Sequence, residues 1–499
     1  MTDSRRRWRL TAPLRGLLRR GRRVFASLPI HLASSRWASG RWASGWLVSA
    51  LITGMAFGQV PEPDGVPATV NLAAAGADEP ATGEAGAISW PEGFAAERVA
   101  QRRDSAAQPT LEPFDRLAAK LIREHHLPGL AIAVTDAGRL VHACGYGCGD
   151  LTTGEGVKAT SLFRIASVSK PITAVAMLRC VDQQRLRLDD PVTQHLAVDA
   201  EFAAAESLDP RWRAVRIEHL LQHRGGWDRE ASFDAMFQSV RFAKQLGIES
   251  PAGARDTIRA MLTQPLDFDP GARYAYSNFG YNLLGRVIEN LSGETYESYV
   301  RRQVLEPLGI TAMRIGATRR AGRVPGEVAY YHPGESDSVF AENLGAAVPH
   351  PYGGWHLEAM DAHGGWIASV IDLAKFARAF DDPAACPVLS QASIDCMYRR
   401  PPPAADADPT AEPPAVYYSL GWNNRHVRDD RYNRWHVGSL PGTTAILIRR
   451  HDGKNFIALV NTRHSPITKD LAGIVDRSLH AAAAEVESWP TADLFSAYD

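Results

Sequence analysis

The 499-residue sequence has little cysteine, no excess of charge and no long apolar run. Its five cysteines, Cys144, Cys148, Cys180, Cys386 and Cys396, form no Cys-x-x-Cys or Cys/His metal spacing. A disulfide scaffold and a zinc ribbon are therefore excluded, and the cysteines read best as small apolar residues. A Cys386–Cys396 pair is the alternative. Lys and Arg number 55 against 56 Asp and Glu, a net charge of −1, so no basic face recommends nucleic acid as a partner. Also missing are the Gly-x-Ser-x-Gly elbow, His-Glu-x-x-His and a phosphate-binding glycine loop, which removes α/β-hydrolase, zincin and P-loop chemistry. What is present is an ordinary globular balance of 45% hydrophobic and 22% charged residues, enough for a core that needs no metal.

The N-terminus carries nine arginines between Arg5 and Arg23, and the apolar run WLVSALITGMAFG follows at 46–58. That run is short for a membrane span and suits the core of an export signal. Residues 1–58 are expected to send the protein to the periplasm or outside the cell, with retention as an inner-membrane tether as the alternative. Residues 59–112 are rich in Ala, Gly, Pro and Glu and read as a linker without a core. Residues 113–485 are patterned and form the expected domain, and 486–499 read as a tail.

Within the domain, Phe114, Leu117, Leu121 and Ile122 recur at helical spacing. Residues 130–135 and 139–144 read as two strands joined at Asp136-Ala137-Gly138. A buried helix is expected over 162–186, and 189–400 reads as helical and loop-rich. After a proline-rich loop at 400–414, strands are expected at 417–422, 434–436, 443–449 and 455–462, then a helix at 468–485. Early and late strands closing in one antiparallel sheet, flanked by helices and a mostly helical insert, make an α+β domain with a cleft between sheet and helices.

Three short elements carry chemistry. Ser167 and Lys170 lie three apart, so on a helix they share a face. A serine hydroxyl becomes a nucleophile when a neighbouring base takes its proton. A lysine amine serves when burial or nearby positive charge lowers its pKa. Tyr276-Ser277-Asn278 offers a phenol whose pKa near 10 a nearby ammonium would lower, and an amide with both donor and acceptor. His436-Val437-Gly438-Ser439 offers a strand N–H for an oxyanion, a glycine for close approach, and a histidine that could donate to substrate or bond the Tyr276 hydroxyl. Taken singly, each has a structural reading: a capped helix, an aromatic turn, a half-buried strand histidine. His219 and His223, four apart, read as a helix end near the cleft rather than a metal pair, and His363 as a loop residue or pocket border.

Together, in this order, the three elements resemble the serine β-lactamase and penicillin-binding protein superfamily. Within it they are most similar to the class C β-lactamase-related esterases, D-aminopeptidases and D-alanyl-D-alanine carboxypeptidases. Pro128-Gly129, Ile217-Glu218-His219-Leu220-Leu221, Pro307-Leu308-Gly309 and Gly364-Gly365-Trp366 fall in the same order. The resemblance implies a β-lactamase/transpeptidase-like fold, no cofactor or metal, and a small-molecule or peptide substrate. It implies Ser167 as the acylated nucleophile, Lys170 as its proton-transfer partner and Tyr276 as general base. Asn278, His436, Gly438 and Ser439 would bind substrate, and the backbone N–H groups of Ser167 and Ser439 would form the oxyanion hole. Substrates left open are a D-amino-acid peptide, a β-lactam and a carboxylic ester. A silent protein binding cell-wall peptides or a partner in the same cleft is the reading from another class. Histidine at 436, where many relatives carry lysine, weakens the case for β-lactams, because a permanent cation for the drug carboxylate is missing.

Overall fold

The computed structural model describes residues 103–104, 111–196, 208–404, 410 and 412–498. The expected leader and apolar run, most of the linker, and 405–409 and 411 of the proline-rich loop lie outside these residues. Among the described residues no helix is long and apolar enough to cross a membrane.

Helix α1 (Glu112–His125) runs into strands β1 (Gly129–Asp136) and β2 (Arg139–Asp150). The hairpin turn between them takes φ of 49° at Ala137 and 78° at Gly138, the two positive values a two-residue turn of this twist needs. A short β3 (Glu155–Gly156) follows. The chain returns to this sheet only after the insert, with β4 (Val416–Tyr418), β5 (Asn423–Arg428), β6 (Arg431–Leu440), β7 (Thr443–Arg449) and β8 (Lys454–Val460). The eight strands lie in the order β3-β2-β1-β8-β7-β6-β5-β4. The closure of early on late strands is the β1–β8 ladder, antiparallel from Leu130↔Val460 to Asp136↔Lys454.

Strand alternation divides the core. Leu130, Ile132 and Val134 enter the apolar cluster beneath α1 and the last helix (Leu471–Ala484), while Ala131 and Ala133 face the larger cluster shared with the insert. Small residues on that second face let helix α2 (Ser169–Asp182) and its neighbours pack close. Helix α2 is buried on nearly every side, as a helix apolar all round must be.

Two expectations are corrected. The helix expected over 162–186 is shorter, because Phe163–Arg164 pair instead with Ala368 and Ile367 in a small second sheet. Short apolar runs do not separate strand from helix by period alone. Of the segment 486–499, expected as a tail, the described residues 486–498 pack on the domain: Phe495 is buried and Leu140 N donates to Asp493 Oδ1 at 3.0 Å. All five cysteines are free thiols, three of them buried.

Candidate active site

Ser167 sits in a 3₁₀ turn, Ala166–Val168, immediately before α2. Ala166 takes φ 45°, a left-handed value that costs an alanine about 1 kcal/mol or more. That bend breaks the path from the small sheet into the helix and leaves Ser167 facing a cleft. Lys170 follows one turn later and is fully buried. Its Nζ donates to Ser167 Oγ at 3.0 Å, to Asn278 Oδ1 at 2.8 Å and to the His363 carbonyl at 3.0 Å. Three acceptors match the three hydrogens of an ammonium.

Tyr276 and Asn278 flank the start of helix α3 (Asn278–Ser292). Ser277 is the N-cap, its hydroxyl accepting from Gly280 N at 3.2 Å. Capping fixes the backbone just where the two flanking side chains turn toward Lys170. Tyr276 OH donates to Ser167 Oγ at 2.8 Å. Asn278 Nδ2 donates to Asp234 Oδ2 at 2.6 Å, so both ends of the amide have protein partners.

Strand β6 closes the other side. A Cβ on Gly438 would collide with the Ile165 carbonyl oxygen and lie 3.1 Å from Ser167 N, so only glycine lets the strand lie against the nucleophile turn. Ser167 and Ser439 both line one cleft. Asn278, Arg229 and His363 share that lining, and Phe237, Met360 and Leu440 supply an apolar wall.

Burial dominates the electrostatics. It pushes the Tyr276 phenol well above its ordinary value, with the Ser167 hydrogen bond and the Arg229 charge pulling the other way. A neighbouring lysine was expected to lower this group; Lys170 does lie 4.7 Å from the ring centroid, but desolvation is the largest influence and the net direction is upward. His436 is pushed down to about 3 by burial and then by the charge on Lys170, so it is neutral. Its Nδ1 donates to the Val437 carbonyl at 2.9 Å, which leaves Nε2 to accept from Tyr418 OH at 3.0 Å. The expected bond from His436 to the Tyr276 hydroxyl is absent among the described residues, because Tyr418 reaches across from β4 and occupies the imidazole.

The family model for beta-lactamase matches residues 114–480. The chain belongs to the beta-lactamase family. Among its relatives, the esterase EstB of Burkholderia gladioli is 32% identical over 250 residues, which are 48% of this chain and 59% of EstB. The matched stretch therefore spans less than two thirds of that relative. Among solved structures, the octameric penicillin-binding protein homologue from Pyrococcus abyssi superposes with a TM-score of 0.55 at 23% identity, covering 74% of this chain and 76% of that one. The D-amino acid amidase of Ochrobactrum anthropi SV3 gives 0.54 at 21% identity, covering 75% and 97%. Both share the beta-lactamase fold with this chain.

Of the beta-lactamase-type residues expected from sequence, Ser167, Lys170, Tyr276 and Asn278 form one bonded cluster, and Gly438 and Ser439 border it. His436 lies one layer back. His223, expected as a helix end near the cleft, reaches the site, and two further neighbours, Asp234 and Arg229, were missed. His223 accepts from Ser277 N at 3.2 Å and stacks on Tyr276 with centroids 4.3 Å apart. Asp234 anchors Asn278, and Arg229 covers the Tyr276 ring. Gly225 and Gly226, the latter at φ 113°, turn the chain just after His223, and nothing local in the sequence says which helix that turn meets.

Proposed function

We propose that this protein is a serine hydrolase that cleaves an ester or amide through an acyl-enzyme on Ser167. The observation that carries the proposal is the placement of Ser167 Oγ, in a cleft, within 3.0 Å of Lys170 Nζ and 2.8 Å of Tyr276 OH. With Lys170 holding a proton on three acceptors, Tyr276 is the group that exchanges one. Its phenolate takes the Ser167 proton as Oγ attacks the carbonyl carbon, and Lys170 steadies the resulting charges. The backbone N–H groups of Ser167 and Ser439 receive the oxyanion. Tyr276 then gives its proton to the departing alcohol or amine. A water molecule repeats the sequence against the acyl ester and returns Ser167 to its hydroxyl form.

The substrate class we favour is an ester or amide with a compact apolar acyl group. Phe237, Met360 and Leu440 supply the wall for it, and His436 offers no cation to a β-lactam carboxylate. EstB, named an esterase, is consistent with this class. We further infer export, from the basic leader and the apolar run at 46–58. Turnover of a series of p-nitrophenyl esters by the full chain tests the reading. Hydrolysis that favours short acyl chains and vanishes in Ser167→Ala is expected. Equal rates in both proteins would remove Ser167 from the chemistry.

A further inference from the structure

We infer that Arg229 is a positioning residue for this reaction: its guanidinium, laid on the ring of Tyr276, holds positive charge where the phenolate form of that tyrosine needs it. The inference rests on the acyl-serine reading above and names the group that makes its base usable.

Arg229 Cζ lies 4.8 Å from the Tyr276 ring centroid and Lys170 Nζ lies 4.7 Å from it. Two cations therefore address one ring. A cation over a neutral ring is already attractive. Deprotonation spreads negative charge from the oxygen onto the ring carbons, so the attraction grows in the form that accepts the Ser167 proton. The Arg229 side chain is 5% exposed, and screening by solvent and salt is weak there. Because His436 is neutral, the third motif contributes no charge, and Arg229 brings the second cation from a loop instead.

The remaining groups facing Tyr276 do not supply that charge. His223, stacked at 4.3 Å, and His363, whose carbonyl holds Lys170, are both driven toward the neutral form by burial. Tyr274, Tyr281 and Tyr418 are all pushed up by burial and stay protonated. Asp234 is the anion of this shell, 2.6 Å from Asn278 Nδ2 and 4.0 Å from Arg229 Nη1. Glu230 meets Arg229 Nε at 3.2 Å but is itself 67% exposed. Removing Arg229 thus does two things of the same sign: it withdraws a cation from Tyr276 and leaves Asp234 uncompensated. Neutralising Asp234 acts in the opposite direction.

The test is the rate of fluorophosphonate labelling of the full chain from pH 5.5 to 10.5, for wild type, Arg229→Gln, Arg229→Lys, Asp234→Asn and Tyr276→Phe. Melting temperatures are taken alongside. The wild-type rate is expected to climb with pH. Arg229→Gln should displace that climb upward by about one pH unit, read as labelling about tenfold slower at each pH on the rise. Arg229→Lys should recover at least half of that displacement, and Asp234→Asn should speed labelling at each pH on the rise. Should the Gln variant fail to fold, the opposed shifts of the Lys and Asn variants carry the same test. A Gln variant that labels as fast as wild type, or an Asn variant that labels more slowly, overturns the inference while leaving the acyl-serine reading intact. If Tyr276→Phe labels like wild type, Tyr276 is not the base, and the inference falls with that assignment while Ser167 remains the nucleophile.

Discussion

Two buried tyrosine–histidine clusters sit in this domain, and they differ in where their last proton points. Behind the sheet, Leu111 N donates to His142 Nδ1 at 3.2 Å, His142 Nε2 meets Tyr146 OH at 3.0 Å, and Tyr146 donates to Asp115 Oδ1 at 2.6 Å. At the cleft, Ser277 N donates to His223 Nδ1, His223 stacks on Tyr276, and Tyr276 donates to Ser167 Oγ. Burial pushes both histidines down and both tyrosines up. Perturbed titration therefore does not mark the site. The first relay ends on a carboxylate that can only accept; the second ends on a hydroxyl that can attack, with two cations over the phenol ring and open space in front. Chemistry follows from that ending.

Substitutions should separate the two clusters most sharply in rate. Lys170→Ala and Tyr276→Phe are expected to lower kcat/KM for a chromogenic ester by about 10³-fold while the melting temperature holds. Tyr146→Phe should leave kcat/KM within about twofold. A large rate loss in Tyr146→Phe, or a small one in Tyr276→Phe, would erase the distinction. Gly438→Ala should cost about 10²-fold in kcat, because the new methyl forces β6 away from the Ser167 turn and displaces an oxyanion donor.

The pH profile sharpens the contrast. A base held above its ordinary pKa is mostly protonated at pH 7, so kcat/KM should rise through the alkaline range. No histidine limb is expected between pH 6 and 7, since His223 and His436 are already neutral there. Stability changes in the same sense, but in the acid range, and involves both clusters. His142, pushed down to about 4 by burial, binds a proton in the unfolded chain before it does in the folded one. Stability is then fully present above about pH 6.5 and declines as pH falls toward 4, which a melting temperature lower at pH 5 than at pH 7 would register. The smallest effect is Tyr146→Phe on stability. It takes one hydrogen-bond partner from each of Asp115 and His142, which keep Arg103 and the Leu111 N–H, at a cost of about 1 kcal/mol, and should appear as a modest fall in melting temperature.

Much of the site was legible because its pieces are local. Ser167 and Lys170 are one helical turn apart, and Tyr276 and Asn278 flank an N-cap serine, so short patterns carry both pairs. The sheet was legible because its strands alternate or run apolar between turn residues. What escaped reading depends on contacts between distant segments. Arg229, Asp234 and Tyr418 come from loops and an edge strand with no chemical pattern of their own. The partner of His436 is set by Tyr418 reaching across the sheet. The net direction at Tyr276 is set by burial, which no neighbouring residue in the sequence reports. The docking of Phe495 and Asp493 on β2 is of the same kind, a few residues finding a site prepared by another part of the chain.

The most direct test of the acyl-serine account is intact-mass and peptide mapping of the full chain after treatment with a fluorophosphonate. The account predicts one adduct, on the peptide that contains Ser167, and none in Ser167→Ala. An adduct on another residue, or none on the folded wild-type protein, would contradict it.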